Sequence, residues 1–158
     1  MSRNATRDKA PAPAAKGADL YSWALRQAEL LRAGRLSEID PAGIAEEIDD
    51  VGDEQYDKLE SALRVLMLHL LKWDHQQDKR SRSWTLTVLE QRRRVQRQLR
   101  KNPGLKSRLD EALTDAYEDA RIEASSETGL PMRTFPNIRP FDYADIMERP
   151  IVWPGDEA

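Results

Sequence analysis

Histidine and cysteine, the side chains typical of zinc sites, are scarce in this chain. The sequence contains two histidines, His69 and His75, and no cysteine. The histidines are six residues apart, so on a helix they lie about 120° from each other and make poor joint ligands. Neither follows the Glu-x-x-His spacing of di-iron bundles or the His-Glu-x-x-His spacing of zinc enzymes. We therefore expect His69 to be semi-buried and bonded to a backbone carbonyl or a carboxylate.

The candidate metal ligands are His69 and two neighbouring carboxylates, Glu46 and Glu47. On one continuous helix Glu47 and His69 would lie about 33 Å apart, and a hairpin between them would still leave about 18 Å. Any partner of His69 must then come from another helix. A metal- or small-ligand-dependent activity built on these three residues with Arg80 or Arg82 is therefore the alternative hypothesis. A solvated acidic face is the simpler interpretation of the two glutamates.

The sequence lacks the motifs of the common enzyme classes. No serine lies in a Gly-x-Ser-x-Gly elbow, and the seven glycines form no phosphate-binding loop. Without cysteine there is no disulfide, thiolate metal site or cysteine nucleophile, which fits a reducing compartment such as the cytoplasm. The longest apolar run is too short to span a membrane. We expect a soluble cytoplasmic protein without a cofactor, and a non-enzymatic role is favoured over an enzymatic one.

Charge is separated along the chain, although the net charge is only −3. Residues 38–60 hold ten acidic residues and one lysine, whereas residues 79–108 hold eleven basic residues and one glutamate. The simplest interpretation is that these segments face each other, within the monomer or across a dimer, through exposed ion pairs worth about 0–1 kcal/mol each. Another is a protein partner. Weak nucleic-acid binding through Arg92–Arg100 ranks lower, because no aromatic residues interleave with its arginines.

A protein-interaction or regulatory module, with a protein partner or a second copy of the chain as its target, is therefore the leading functional hypothesis. The separated charges and the proline-bounded C-terminal tail motivate it. The candidate interface residues are Arg92, Arg93, Arg97 and Trp153.

The spacing of apolar residues predicts helices and no strand. The organising stretch is Leu59–Trp73, which is apolar on most of its circumference and is therefore predicted to be the central helix of a bundle. We expect this helix to follow a break at Gly52 and to cover about 53–76. Further helices are predicted over 20–33 and 41–52, from a cap at Ser81 or Ser83 to Asn102, over 105–128, and from Asp142 to Met147.

These elements predict an all-α, single-domain bundle of five to six helices over residues 18–154. Residues 1–17 contain almost nothing that could be buried, so they are predicted to form a disordered arm. Leu130–Pro140 holds three prolines and is predicted to run extended over the bundle. Its predicted anchors are Met132, Phe135 and Ile138.

Several short motifs occur in a fixed order along the chain. They are Glu46-Glu-Ile-x-x-x-Gly52, His69-Leu-Leu-Lys-Trp73, Ser81-Arg-Ser-Trp84, Ala116-Tyr-Glu-Asp-Ala-Arg121, and Glu127-Thr-Gly-Leu-Pro131 with Phe135-Pro136. Together they resemble the bacterial "domain of unknown function 29" family over about residues 18–153. The resemblance implies a soluble bacterial α-helical domain, and it implies no particular activity, cofactor or partner.

The resemblance also suggests which residues define the family, either as a site or as a joint where three helices lock together. These residues are Glu46, Glu47, Gly52, His69, Trp73, Arg82 and Trp84. The candidate functional surface on and after the central helix is Trp73, Arg80, Arg82 and Trp84.

Overall fold

The computed structural model describes residues 15–157, and over this range the protein is all-α, as predicted. The described range contains five α-helices, three short 3-10 segments and no strand. Most of the predicted disordered arm, residues 1–17, lies outside the described residues. None of the helices in the described range is long and apolar enough to cross a membrane. The helices are α1 (Leu20–Arg32), α2 (Pro41–His75), α3 (Arg82–Lys101), α4 (Leu109–Thr128) and α5 (Tyr143–Glu148).

The predicted break at Gly52 is wrong, because α2 is one helix of 35 residues that continues through this glycine. Gly52 does not adopt a positive φ, and Asp53 lies inside the helix instead of capping a new one. A glycine in a helix interior costs only about 1 kcal/mol relative to alanine, which the tertiary packing of a long helix easily exceeds. The helix begins at Pro41, and the preceding Asp40 caps it by accepting a hydrogen bond from the Gly43 N–H at 3.0 Å.

The chain divides into two compact units, one up to Val51 and one from Gly52 onward. In the first unit, Asp40 joins the start of α2 to α1. Its Oδ2 accepts a hydrogen bond from Trp23 Nε1 at 3.2 Å, and its backbone N–H donates to Gln27 Oε1 at 2.7 Å. Gly43 is needed beside this contact, because a Cβ there would lie only 2.7 Å from the indole ring. The predicted organisation of residues 18–154 as a single domain stays a prediction.

The second unit is a helical bundle built around the C-terminal part of α2, in agreement with the predicted central helix. The apolar residues of α2 are buried on several sides, because α3, α4 and the C-terminal segment all contribute to the same core. On α4 the side facing the core carries small residues at four-residue spacing, which lets helices approach closely. These α4 residues are Ala112, Ala116, Ala120 and Ala124, and all four are fully buried.

The segment between α4 and α5 is attached by buried phenylalanine side chains and by hydrogen bonds to its backbone. Phe135 is buried as predicted, but the predicted anchors Met132 and Ile138 are wrong, since Met132 is 38% exposed and Ile138 85% exposed. The segment is instead held by hydrogen bonds from α4: Tyr117 Oη donates to the Pro136 carbonyl at 2.7 Å, and Arg121 Nη2 donates to the Phe135 carbonyl at 3.2 Å. Polar side chains of α4 therefore replace two of the expected apolar contacts.

Candidate functional site

His69 lies half-buried on the central part of α2. Its Nδ1 is 2.8 Å from the carbonyl oxygen of Val65, one turn earlier in the same helix. Burial lowers the pKa of His69 below its ordinary value, and the nearby Lys72 acts in the same direction. The ring is therefore neutral at neutral pH, with Nδ1 donating to the carbonyl. The sequence analysis favours such a hydrogen bond to a backbone carbonyl over metal binding by His69.

Glu46 and Glu47 belong to the first unit, where both contact the same cation. Lys16 Nζ lies 2.5 Å from Glu46 Oε2 and 3.0 Å from Glu47 Oε1. These hydrogen bonds, led by the one to Glu46, raise the pKa of Lys16. Within residues 15–157 no three histidine, aspartate or glutamate side chains converge as a metal site. Glu46 and Glu47 thus have a cation as their partner in the first unit, and His69 has a backbone carbonyl as its partner in the second.

The predicted functional surface around Trp73 and Trp84 consists of two cation–π contacts. The guanidinium of Arg80 lies 4.4 Å from the centre of the Trp73 ring, and its Nε donates to the Trp73 carbonyl at 2.9 Å. Lys72 Nζ lies 4.6 Å from the centre of the Trp84 ring and 2.6 Å from Glu127 Oε2. Cations near the last carbonyls of a helix also interact favourably with its dipole. These contacts join the end of α2 to the following loop, to α3 and to α4.

Arg82 makes its contact with the C-terminal tail. Its Nε and Nη2 donate to the two carboxylate oxygens of Asp156, at 2.7 and 3.1 Å. Trp153, three residues earlier, is half-buried, and together with Thr85 and Val88 of α3 it lines a small hollow. The tail is therefore bound along the first turns of α3, and an interface role for Trp153 stays a prediction.

Arg92, a predicted interface residue, is engaged inside the second unit. Its Nε donates to the Ile146 carbonyl at 2.9 Å and its Nη2 to the Arg149 carbonyl at 2.7 Å, so it caps the C-terminal end of α5. Arg149 in turn donates from Nη1 to Asp74 Oδ2 at 3.0 Å. Burial, followed by the charge of Arg149, lowers the pKa of Arg92. The guanidinium is consequently used for internal packing.

The opposite face of α3 is exposed, and we call Leu86, Leu89, Arg93 and Arg97 its outer stripe. The spacings of three, four and four residues put these side chains on one face of the helix. Leu86 is 45% exposed and Leu89 is 50% exposed, while Val88 and Val95 are buried on the inner face. Among the described residues, neither Arg93 nor Arg97 has an acidic group within 4.0 Å. Leu86 was missed at the sequence level, although the same helical spacing places it opposite Val88.

The acidic and basic segments do not neutralise each other within the second unit. Glu54 pairs with Lys58 on α2, and Arg94 pairs with Glu90 on α3, each at 2.7 Å. Among the described residues, the direct polar contact between these parts of α2 and α3 is that of Gln98 Nε2 with the Gln55 carbonyl and side-chain oxygen. No ion pair within 4.0 Å therefore joins the acidic segment to the basic one in the described part of the chain.

A comparison with known families identifies the type of domain. The model of the family described as "domain of unknown function DUF29" matches residues 17–151, which is most of the chain. The chain belongs to the DUF29 family. No curated protein and no solved structure matches it. The DUF29 match confirms the resemblance that the ordered motifs indicated.

Three residues of those DUF29 motifs have contacts that lock the second unit together. The Trp73 ring makes a cation–π contact with Arg80, and the Trp84 ring makes one with Lys72. Arg82 donates a hydrogen bond to Asp156 of the C-terminal tail. Each contact joins segments that are separated by a loop or, for Arg82 and Asp156, by 74 residues. In this DUF29 domain the geometry of the motif region therefore favours a joint between elements over an open binding site.

Proposed function

We propose that this DUF29 domain is a non-enzymatic protein-interaction module that binds an acidic amphipathic helix of a partner protein through the outer stripe of α3. The observation that carries the proposal is the pairing of two exposed leucines with two arginines that have no ion partner in the described structure. Leu86 and Leu89 supply apolar area to bury, while Arg93 and Arg97 supply charge one and two turns further along.

Such a surface suits the helix-in-groove mode of recognition. A partner helix with apolar residues over the leucine pair and carboxylates at four-residue spacing over the arginines would complement both halves. The inner face of α3 is fixed by Val88 and Val95, so the outer stripe is presented without a large ordering cost. The arginines favour an acidic partner and speed its association, so binding should weaken as salt is raised.

A protein fits the outer stripe better than a nucleic acid does. The phosphates of a nucleic acid would bind the two arginines, but they have no apolar surface that could pack against the exposed leucines of the same stripe. Single-stranded bases would need aromatic side chains for stacking, and the outer stripe has none. Arg92, which the nucleic-acid hypothesis included, donates instead to carbonyls of its own chain. Nucleic acid is accordingly one of the outcomes that the experiment must distinguish.

An enzymatic role built on His69 has weaker support. Its Nδ1 contacts a helix carbonyl, and Glu46 and Glu47 contact Lys16. Arg80 and Arg82, the other members of that hypothetical site, contact Trp73 and Asp156 respectively, and those contacts serve to hold segments together. The interaction role therefore ranks first.

The test is capture of proteins by the tagged full chain from a lysate of its native cell, treated with nuclease. The variant R93E/R97E should lose the partner, whereas K79E/K106E, which changes net charge equally at exposed lysines, should retain it. Cross-links should connect the outer stripe to an acidic helix, and that segment made as a synthetic peptide should bind the purified chain in a salt-dependent manner.

The apolar half of the outer stripe is tested separately. L86S/L89S should weaken peptide binding at least tenfold, and I122S, which alters an exposed residue of α4, should leave it unchanged. Capture that nuclease abolishes would replace the proposal with nucleic-acid binding. A second copy cross-linked at the outer stripe, or a partner that R93E/R97E still captures, would equally overturn it.

A further inference from the structure

The second unit contains a cleft of about 500 Å³ between α2 and α3, which shares Arg97 with the outer stripe and none of the stripe's other residues. Its volume is within the range of about 300–1,000 Å³ found for small-molecule sites. Ala62 and Val65 of α2 contribute apolar surface to the lining, and Asp57 belongs to the α2 side. Gln91 and Arg97 belong to the α3 side. The cleft therefore combines an apolar patch with one wall of each charge.

Some charged residues of the two walls form ion pairs within their own helix, and others have no ion partner among the described residues. Asp57 and Arg97 stand on opposite walls, and within the described residues neither has an oppositely charged group within 4.0 Å. Opposite charges held apart across a cleft favour a ligand that carries both signs, because each end then gains a partner. The other charged residues of the walls pair within their own helices, as Lys58–Glu54 and Arg94–Glu90.

Gln91 adds an uncharged polar group to the cleft. The residue is only 7% exposed as a whole, and it lines the cleft from α3, between Val88 and Val95 of that helix. Its amide atoms are not among the buried side-chain atoms that lack a hydrogen-bond partner in the described structure. The amide therefore reaches the open space of the cleft, where it can hydrogen-bond to a polar group of a ligand.

We propose that the cleft binds a small zwitterion of the aliphatic α-amino acid class. The carboxylate binds the guanidinium of Arg97, for which two-pronged carboxylate recognition is the favoured geometry. The ammonium group binds the carboxylate of Asp57, the aliphatic side chain covers Ala62 and Val65, and the amide of Gln91 hydrogen-bonds to a polar end of the ligand. The site shares Arg97 with the outer stripe, but its other residues lie outside that stripe.

The proposal is tested by NMR titration of the full chain with L-valine, L-leucine, L-isoleucine and L-methionine in turn. At least one should give saturable shifts centred on residues of the cleft, including the side-chain amide of Gln91, with a dissociation constant of about 1 mM or lower. Removing either charge of the ligand should weaken binding at least tenfold. For L-leucine the matched probes are 4-methylpentanoate, which lacks the ammonium group, and isoamylamine, which lacks the carboxylate.

Three variants and one control assign the binding to the cleft. D57N, R97Q and Q91M should each weaken binding at least tenfold while keeping the amide spectrum of the folded protein. R93Q, on the same helix but outside the cleft, should bind as the wild type does, which separates this site from the outer stripe. The proposal is overturned if all four amino acids fail to give saturable shifts, or if D57N and Q91M bind as tightly as R93Q.

Discussion

Arg92 and Arg93 are neighbours in the sequence, and they occupy opposite environments. Arg92 is half-buried and donates to two backbone carbonyls, at Ile146 and Arg149, more than 50 residues later in the chain. Arg93 is exposed, with no acidic group within 4.0 Å in the described structure. A rotation of about 100° around α3 therefore separates an arginine that organises the C-terminal segment from one that faces outward.

The contrast shows why a run of basic residues is a poor guide to function by itself. A helix carries its charges around its circumference, so adjacent arginines in sequence point about 100° apart. Which of them is available depends on what packs beside the helix. Here the C-terminal segment packs beside Arg92 and accepts its hydrogen bonds, while the outer stripe stays exposed.

The largest expected difference in stability between a buried and an exposed residue is that between two leucines, Leu66 and Leu86. L66A removes a fully buried side chain of α2 and should lower the free energy of unfolding by about 3 kcal/mol, from lost apolar burial and the cavity left behind. L86A, at an exposed position of the outer stripe, should change it by less than about 0.5 kcal/mol. Urea denaturation followed by circular dichroism measures both. If L86A proved as costly as L66A, the outer stripe would be part of a core.

The two arginines should differ by a smaller amount in the same assay. R92M keeps most of the aliphatic length but leaves the Ile146 and Arg149 carbonyls without their donor, which should cost about 2 kcal/mol. R93M should stay within about 0.5 kcal/mol of the wild type. Limited proteolysis should also cut R92M preferentially after α4. Equal stabilities of the two variants would mean that the carbonyl contacts of Arg92 contribute nothing.

Much of the fold could be predicted, because it depends on local pattern. The apolar circumference of Leu59–Trp73 predicted the central helix, and Asp142, the predicted start of the last helix, caps α5. The break at Gly52 was mispredicted, because a weak local preference for ending the helix opposed the stability of the longer helix. Local rules give no measure of that competition.

The candidate site was harder to predict, because its members are decided by distant contacts. Arg92 and Arg93 look equivalent until the C-terminal segment is in place. Similarly, Met132 and Ile138 have the apolar character of anchors, but hydrogen bonds from Tyr117 and Arg121 hold the segment that contains them. The cleft residue Gln91 gave no signal, since a polar residue in a charged helix is unremarkable until its burial is known.

A pair of glycines extends the comparison to the backbone, with effects of opposite sign. Gly52 lies inside α2 without a positive φ, while Gly129 ends α4 with a φ of 72°, and a Cβ at either site would meet no atom within 4 Å. G52A should raise the free energy of unfolding by about 0.5–1 kcal/mol, because alanine favours helix. G129A should lower it by about 1 kcal/mol, because a side chain strains the left-handed conformation. A stabilising G129A would contradict the assignment of that conformation.

His69 should produce the smallest effect and should reveal it only through pH. Its pKa is lowered by burial in the folded state, so below the ordinary value near 6.5 the unfolded chain takes up a proton that the folded chain resists. The stabilising contribution of the neutral ring is complete above that value and is lost as pH falls from about 7 through the lower folded pKa. H69Q retains a donor for the Val65 carbonyl but cannot titrate. The wild type should therefore lose more stability than H69Q between pH 7.5 and 5.5 in urea denaturation. If the stabilities of the wild type and H69Q changed with pH in parallel, the folded state would bind the proton on His69 as readily as the unfolded state does. The interpretation of His69 as a half-buried, neutral side chain would then be wrong.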